Sequence, residues 1–349
     1  MLRHLLFVLL LVMTQSFAFG QDPSLSQYYA IPQQINPALT GLFDGQFRLM
    51  ANYKDQLGSV AGPEAYETLG ASFDMRLPLG RYDYAGIGVN FMRDEAGVAN
   101  FNRLSGALGF SFQKQLGGGR NSSDNYLVGG VQAGFGQWGF DPDKVWYSSQ
   151  FDPLNIAINE AIPSGENFEG QSTRFFVDMA AGVLWYSIID DHASVYIGGS
   201  AYHLNSPNIA FLDQDNVPLD RRFVVHAGGE VPLNESISLL PVAIFMQQGP
   251  FQSVTAGSQL KYYGERLSDM DMKLGIWLRG ANSLNQNMQI NAIIIAATLD
   301  IEAFSFGLSY DFTQSNLGIV NNARGGLELF VGYTFGNTGR SYSPTCPSF

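Results

Sequence analysis

The sequence alternates large apolar residues with small or polar ones over many short stretches. In Phe304 to Phe312, FSFGLSYDF, every second residue is large and apolar, and Leu327 to Phe335, LELFVGYTF, follows the same pattern. A period of two places the apolar residues on one face of a β-strand. Beyond residue 20 the longest apolar run is Ala292 to Leu299, far short of the roughly 20 residues that a membrane helix needs. The pattern therefore predicts a membrane β-barrel, with lipid outside and a polar lumen.

The number and spacing of these stretches define the predicted barrel. They begin near residues 46, 65, 82, 101, 125, 172, 193, 221, 236, 252, 271, 288, 302 and 325. The connections on one side are mostly short, with residues 114–125 as an expected exception, whereas those on the other side include 139–171, 205–220 and 314–324. Short periplasmic turns and long outer loops are typical of bacterial outer-membrane barrels. We predict an all-β transmembrane antiparallel barrel of about 14 strands over residues 46–335.

Composition and charge favour a membrane location and exclude one class of partner. Charged residues make up only 14% of the chain, against about 25% in typical soluble domains. The formal net charge is −12, which excludes nucleic acid as a partner because the phosphate backbone would be repelled. Outer-membrane lipid is the expected surrounding.

The two ends of the chain fall outside the strand pattern. Residues 1–20 combine a basic start, an apolar core and a small-x-small site, which predicts a secretory signal cleaved before Gln21. Residues 336–349 form a Gly/Pro/Ser tail that we expect in the periplasm. The only cysteine, Cys346, lies in this tail, so no internal disulfide is possible.

The sequence contains little that suggests catalysis or cofactor chemistry. Beyond the predicted signal there are three histidines, His192, His203 and His226, and no serine is spaced to mark a catalytic pair. We predict no enzyme activity, no cofactor and no metal site. The acidic loop with Asp213, Asp215 and Asp220 leaves two interpretations open, a solvated loop or a calcium site.

Residues 21–45 precede the first strand and have an irregular pattern. The stretch SQYYAIPQQINPALTG has prolines at 32 and 37, which oppose any regular element. Non-helical backbone is tolerated at membrane depth only inside protein or a wet cavity, and amide and tyrosine side chains can satisfy such backbone. We expect this segment to enter the lumen, with Asn36 and Tyr28 in buried hydrogen bonds; the alternative is a loose periplasmic leader.

The longest outer loop, residues 151–170, is rich in apolar residues and is a candidate docking surface for a partner. The second long loop, residues 205–220, adds two more apolar residues. The candidate docking residues are Phe151, Leu154, Ile156, Ile158, Ile162, Phe168, Phe211 and Leu212.

The opening of the predicted mature chain carries a set of residues that identifies a family resemblance: Gln27, Tyr28, Asn36, Pro37, Gly41, Asn52, Tyr53 and Gln56. In these residues the chain resembles the PorP/SprF family, outer-membrane proteins of the Bacteroidetes type IX secretion system. Further similarity lies on the second strand and at Ala323 to Glu328. The resemblance departs at Lys54 and Leu57, where the family often has Arg and Trp.

This resemblance implies a function without catalysis. Such proteins help to export, or hold at the surface, a cargo protein with a C-terminal sorting domain, often an adhesin, in partnership with other type IX secretion components and in relation to gliding motility. The Asn-Pro-Ala before a fourteen-stranded barrel also resembles FadL-type transporters, whose N-terminal segment forms a hatch in the lumen. A FadL-like or porin-like channel for small or hydrophobic solutes is therefore the alternative, and a surface enzyme is a third class.

Overall fold

The computed structural model describes residues 21–58, 62, 65–80, 82–119, 122–153, 155–159, 161–165, 172–190, 192–211, 216–264, 270–282, 287–314 and 324–336. The predicted signal, the C-terminal tail from residue 337 with Cys346, and Asp213 and Asp215 lie outside the described residues.

Fourteen antiparallel strands close into a barrel, and β1 pairs with β16 so that the sheet has no open edge. Closure is what hydrocarbon requires, because an unpaired edge could not be hydrated there. Strands β6 (Phe151–Asp152) and β7 (Ala157–Ile158) form a separate hairpin in the loop after β5. The barrel strands are β1 (Phe47–Gln56), β2 (Tyr66–Leu79), β3 (Asp83–Ala96), β4 (Phe101–Gly119), β5 (Ser122–Gly139), β8 (Phe176–Asp190), β9 (Ala193–Tyr202), β10 (Arg222–Asn234), β11 (Ile237–Gln248), β12 (Phe251–Tyr263), β13 (Met270–Asn282), β14 (Met288–Ile301), β15 (Phe304–Thr313) and β16 (Gly326–Phe335).

The predicted fold class and strand number are confirmed. Each barrel strand begins within a few residues of its predicted start. One expectation was wrong: residues 114–125 are not a long turn, because β4 and β5 continue to pair as far as Gly119 and Ser122. Alternation is weak in this stretch of glycine and polar residues, so the strand pattern was missed there.

The strand register sends the apolar residues outward. Leu308, Leu329 and Tyr53 lie opposite one another on three neighbouring strands and remain exposed on the outer surface of the barrel. Their chain neighbours Ser309 and Glu328 point inward and are buried. Because paired residues on adjacent strands face the same side of a sheet, a lipid-facing surface and a polar lumen follow from the alternation in the sequence.

The two rims of the barrel differ in their connections. The rim at which β1 begins and β16 ends carries short turns, such as residues 80–82, 191–192 and 302–303; the opposite rim carries the long loops 140–175, 203–221 and 314–325. We call these the inner and outer rims, since outer-membrane barrels place short turns in the periplasm. The rings of Phe47, Phe335, Tyr333 and Phe304 lie against one another at the inner rim, with centroids 4.5 to 5.2 Å apart, as expected where the membrane meets water. No helix in the described residues is long and apolar enough to cross a membrane.

Candidate functional site

Residues 21–46, the lumen segment, lie inside the barrel. Ser200 of β9 donates a hydrogen bond of 2.6 Å to the carbonyl of Ile35, and Ser111 of β4 donates one of 2.6 Å to that of Thr40. On the β16 side, Glu328 accepts a 2.7 Å bond from the backbone N–H of Ser26. Strands from all around the barrel bind this one segment, so it occupies the lumen.

The lumen segment runs the length of the barrel from the outer rim to the inner rim. At the outer rim the backbone N–H of Asp22 donates to Gln248, at the end of β11, over 2.9 Å. At the inner rim the N–H of Gln46 donates to the carbonyl of Phe335, at the end of β16, over 3.1 Å. The sequence predicts a segment before strand one but not the direction in which it runs through the lumen. In the structure it starts at the outer rim, and only its last residues lie at the inner rim.

The two prolines explain the irregular path of the segment. Pro32 and Pro37 each open a single turn of 3₁₀ helix, Pro32–Gln34 and Pro37–Leu39. Proline suits this first position because its fixed φ matches a helix and its missing N–H would have had no intrahelical partner. Asn36 caps the second turn by accepting a 2.9 Å bond from the N–H of Ala38, as N-cap asparagines do.

Asn36 also fixes the segment to the barrel wall. Its Nδ2 atom lies 2.9 Å from the carbonyl oxygen of Val183, 3.3 Å from that of Gly199 and 3.1 Å from the Nε2 atom of His226. The side chain is fully buried. Asn36 therefore ties the inner half, residues 36–43, to three neighbouring strands of the wall, and loss of these contacts would leave several buried polar groups unsatisfied.

The inner half packs directly on glycines of the barrel wall. A Cβ atom on Gly130 of β5 would lie 2.4 Å from the backbone nitrogen of Ala38, and one on Gly86 of β3 would lie 2.1 Å from the carbonyl oxygen of Thr40. Only residues without a side chain permit backbone to approach this closely. Part of the glycine content of the strands therefore serves the fit of the segment.

Arginines close the inner end. Arg48 of β1 makes a bidentate pair with the buried Asp74 of β2, at 2.9 and 2.7 Å, and Asp74 also accepts a 2.7 Å bond from the N–H of Gly41. Arg76 donates a 3.1 Å bond to the carbonyl of Phe43. Arg48 and Asp74 thus form a buried ion pair, as buried charges require.

The outer half, residues 21–28, is held mainly by charged side chains of the barrel wall. Glu328 accepts bonds from the backbone N–H groups of Ser26 and Gln27, at 2.7 and 2.9 Å, and from Asn52 of β1 at 2.9 Å. The Nζ atom of Lys54 lies 3.8 Å from Glu328 and donates a 2.8 Å bond to the carbonyl of Ser24.

A second acid extends this network. Asp311 of β15 accepts from the hydroxyl of Ser26 at 2.6 Å and pairs with Arg279 at 2.6 Å. Lys54 lies 3.7 Å from the same carboxylate. The lysine at which the sequence departs from the usual family residue is thus a buried member of the network that holds the segment.

Asp22 is held at the outer rim by two cations. Its Oδ2 atom lies 2.8 Å from His203 and 3.1 Å from Arg222. Burial would raise the pKa of Asp22, but the charges of His203 and Arg222 hold it well below its usual range. Burial likewise opposes a charge on His203, but Asp22, together with Asp178 at 2.9 Å, raises the pKa of His203 to about 9. The imidazolium form is thus favoured at neutral pH.

The residues that carried the family resemblance are not brought together at one place. Gln27, Asn36, Pro37, Gly41 and Asn52 are buried in the lumen. Tyr28 is partly buried and packs edge-on against Tyr29 and Trp277, at ring distances of 5.2 and 6.2 Å. The hydroxyl of its neighbour Tyr29 lies 3.2 Å from that of Thr298, inside the lumen. Tyr53 faces outward and Gln56 lies exposed at the outer end of β1.

Several residues of this site were missed from the sequence. They are the charged partners of the segment on the lumen face: Arg48, Asp74, Arg222, Arg279, Asp311 and Glu328. A signal for them existed, because each occupies the polar phase of a strand whose alternate residues are apolar. In a chain with few charges, such residues indicate that something polar fills the lumen.

The candidate docking loops are only partly described. Ile156 is 82% exposed, and Phe151, Ile158 and Ile162 are also exposed. Phe211 instead packs edge-on between Phe101 and Phe140, at 6.4 and 5.0 Å. Leu154, Phe168 and Leu212 lie outside the described residues.

The histidines make no serine pair in the part of the chain that the structure describes. Both ring nitrogens of His203 face carboxylates, His226 faces Asn36, and the ring of His192 lies 4.2 Å from that of Tyr263. Across the same residues, no group of three or more His, Cys, Asp or Glu side chains could hold a metal ion.

Comparison with known families identifies the relationship. Residues 17–333 match the family described as "Type IX secretion system membrane protein PorP/SprF". The chain belongs to the PorP/SprF family. A closed barrel with an apolar exterior, in a PorP/SprF protein, is located in the outer membrane. No curated protein matches the sequence.

Solved structures give distant similarities to this PorP/SprF protein. A mutant of the monoaromatic hydrocarbon channel TodX matches with 12% identity and a TM-score of 0.47, over 85% of this chain and 92% of that one. The monoaromatic hydrocarbon channel CymD matches with 10% identity and a TM-score of 0.46, over 88% and 94%. CdiB from Acinetobacter baumannii matches with 7% identity and a TM-score of 0.43, over 82% of this chain and only 60% of that one.

Proposed function

We propose that this PorP/SprF protein is exported by the signal at residues 1–20 and acts without catalysis, assisting the secretion or the surface anchoring of one cargo protein. The cargo carries a C-terminal sorting domain and is adhesin-like, and other type IX secretion components deliver it. The observation that carries the proposal is the filled lumen. A segment that binds strands all around the barrel from rim to rim opposes passive diffusion and supports a role at the outer face.

The outer loops supply the surface for such a partner. Phe151, Ile156, Ile158 and Ile162 expose apolar side chains on the outer side, with Leu154, Phe168 and Leu212 predicted to add to them. Apolar side chains exposed in this number are a liability unless something covers them, and a few large apolar anchors commonly dominate an interface. Phe211 has partners within the barrel and supports the loop rather than the docking surface.

Deletion of the gene, followed by analysis of the surface proteins, tests the proposal. We expect one large, C-terminally sorted protein to leave the cell surface, while uptake of small solutes stays unchanged. Unchanged surface proteins together with a defect in solute uptake would instead establish the FadL-like or porin-like channel.

A point variant separates the docking surface from the fold. Ile156→Asp places a charge on the most exposed of the loop's described apolar residues and should reduce cargo retention without altering barrel assembly. Val98→Asp is the matched control, because Val98 is an exposed apolar residue in a different outer loop. Equal retention in both variants would remove the 151–170 loop from the proposal.

A further inference from the structure

The groove that holds the outer half of the lumen segment binds main-chain atoms. Arg103 donates to the carbonyl of Gln21, and Gln248 accepts from the N–H of the following residue, Asp22. Lys54 donates to the carbonyl of Ser24. Glu328 accepts from two successive N–H groups further along. Main-chain atoms are common to every peptide, so these contacts do not depend on the side chains of the extended segment that is bound.

One side chain of the segment is recognised by its charge. The carboxylate of Asp22 lies between His203 and Arg222, at 2.8 and 3.1 Å. Both partners are largely buried. Removing the carboxylate would leave the buried Arg222 without its ion-pair partner and His203 with Asp178 alone, which is unfavourable. Any peptide that takes the place of the outer half must therefore bring an acidic group to the same position.

The outer half is also loosely packed. A cavity of about 80 Å³, lined by Asp22, Pro23, Arg103, Asp178 and Arg222 among others, lies on one side of it, and a second cavity of about 30 Å³ lies beside residues 23–26. Within the described residues the Nε atoms of Arg103 and Arg222 and the Oδ1 atom of Asp178 have no hydrogen-bond partner. Buried polar atoms without partners favour a new occupant that can satisfy them.

We propose that the outer half of the lumen segment is a displaceable occupant of a peptide groove that opens to the cell surface. An extended acidic segment of a surface partner replaces it, and the carboxylate of that segment binds His203 and Arg222 in the position of Asp22. Asp22 is thus an internal competitor that keeps the groove filled until the partner arrives. This inference rests on the proposed function, because the cargo protein supplies the partner segment.

Binding of a synthetic peptide to the purified full-length barrel in detergent micelles tests the groove. The probe is an acetylated, fluorescently labelled peptide, QDPSLSQY, identical to residues 21–28, and its binding is followed by fluorescence anisotropy. Asp22→Asn removes the charge of the internal competitor and should bind this peptide about tenfold more tightly than the natural chain does. The same peptide with Asn in place of Asp should lose about that factor.

Variants of the cationic side control the result. Arg222→Met added to Asp22→Asn should abolish the preference for the acidic peptide, and His203→Gln should reduce it. Arg93→Met is the matched control, because Arg93 is an exposed arginine that pairs with Glu95 near the outer end of β3, away from the segment. Heat-dependent migration on gels verifies that each variant is a folded barrel.

The inference is overturned if Asp22→Asn binds neither peptide, or if it binds both equally. Those results would leave the proposed function intact, since cargo loss on gene deletion is measured separately. Conversely, selective peptide binding together with an unchanged cell surface would retain the groove and reject the cargo role.

Discussion

Charged side chains bind main-chain atoms in both halves of the lumen segment, but the two halves differ in how closely their backbone approaches the barrel wall. Residues 36–43 lie against the barrel wall at distances that only glycine permits, and Asn36 joins two strands and a histidine. Residues 21–28 are held by the charged side chains of Lys54, Glu328, His203 and Arg222, with cavities beside them.

This difference gives the two halves different roles: the inner half seals the lumen, and the outer half can be replaced by another peptide. Close packing depends on shape and tolerates almost no change, whereas charged contacts to main-chain atoms can be transferred to another peptide of the same charge. Displacement of the outer half alone would open a pocket toward the outside and leave the inner seal in place. The barrel would then receive a partner without becoming a pore.

The largest effect is expected from Gly130→Leu. A Cβ atom there would lie 2.4 Å from backbone atoms of Pro37 and Ala38, so the inner half and the wall cannot both keep their places. We expect a loss of about 3 kcal/mol of folding free energy or failure of assembly, read from heat-dependent migration and urea unfolding. Gly129→Leu is the control, because Gly129 has no neighbouring atom within 4 Å of its Cβ position. Equal behaviour of the two variants would refute the close-packed seal.

Asn36→Ala should weaken the seal without a steric conflict. The variant loses the cap on Ala38 and the contacts to Val183 and His226, at a cost of about 2 kcal/mol. Solute leakage into liposomes should rise. Gln34→Ala, which removes one 3.2 Å bond to Asn90, should cost about 0.5 to 1 kcal/mol and leave leakage at the natural level. A leak as large in Gln34→Ala would show that Asn36 has no special role.

Glu328→Gln should loosen the outer half and leave the inner half in place. The change keeps the shape of the side chain but removes the charge that faces Lys54 and the N–H groups of Ser26 and Gln27, at a cost of about 1 to 2 kcal/mol. Hydrogen exchange should accelerate at those two amides and stay slow at Ala38 and Thr40. The control is Glu230→Gln, a buried glutamate on β10 near the inner rim. Faster exchange throughout the segment would contradict the division into halves.

The smallest effect is a pH dependence at the outer rim. The pKa of His203 is raised to about 9. The contribution of its charge to holding Asp22 and the outer half in place is therefore fully present below about pH 6.5 and is lost as the pH rises through 9. A fluorophore on Leu25→Cys, in a Cys346→Ser background, should gain mobility between pH 7 and 10. In His203→Gln this change should disappear; an identical titration in that variant would assign it to another group.

Much of the barrel could be predicted from the sequence, because a period of two must appear wherever one strand face meets lipid and the other meets the lumen. The failure at residues 114–125 has the same cause, since neither face of that stretch carries a clear apolar pattern. The phase of the alternation also identifies Asp74, Asp311 and Glu328 as inward-facing residues.

The pairing of those residues could not be predicted. Ser26 and Glu328 are separated by 302 positions, and no local rule joins residues so far apart. The prolines at 32 and 37 predict an irregular segment but not its direction, because the same turns form whichever way the chain runs through the lumen. The roles of Leu154, Phe168 and Leu212 stay predictions, as does the choice between a calcium site and a solvated loop at Asp213, Asp215 and Asp220.

Glu328 also contributes to the closure of the barrel. Neighbouring strands are joined by connections along the chain everywhere except at the seam between β1 and β16, whose residues meet only through pairing. Glu328 on one side of that seam bonds to Asn52 on the other, and through Ser26 and Gln27 it fastens the lumen segment across both. The lumen segment and Glu328 together therefore stabilise the seam from inside the barrel. Separation of β1 from β16 would first have to break these contacts to the lumen segment, so lateral opening of the barrel into the bilayer is opposed at the seam.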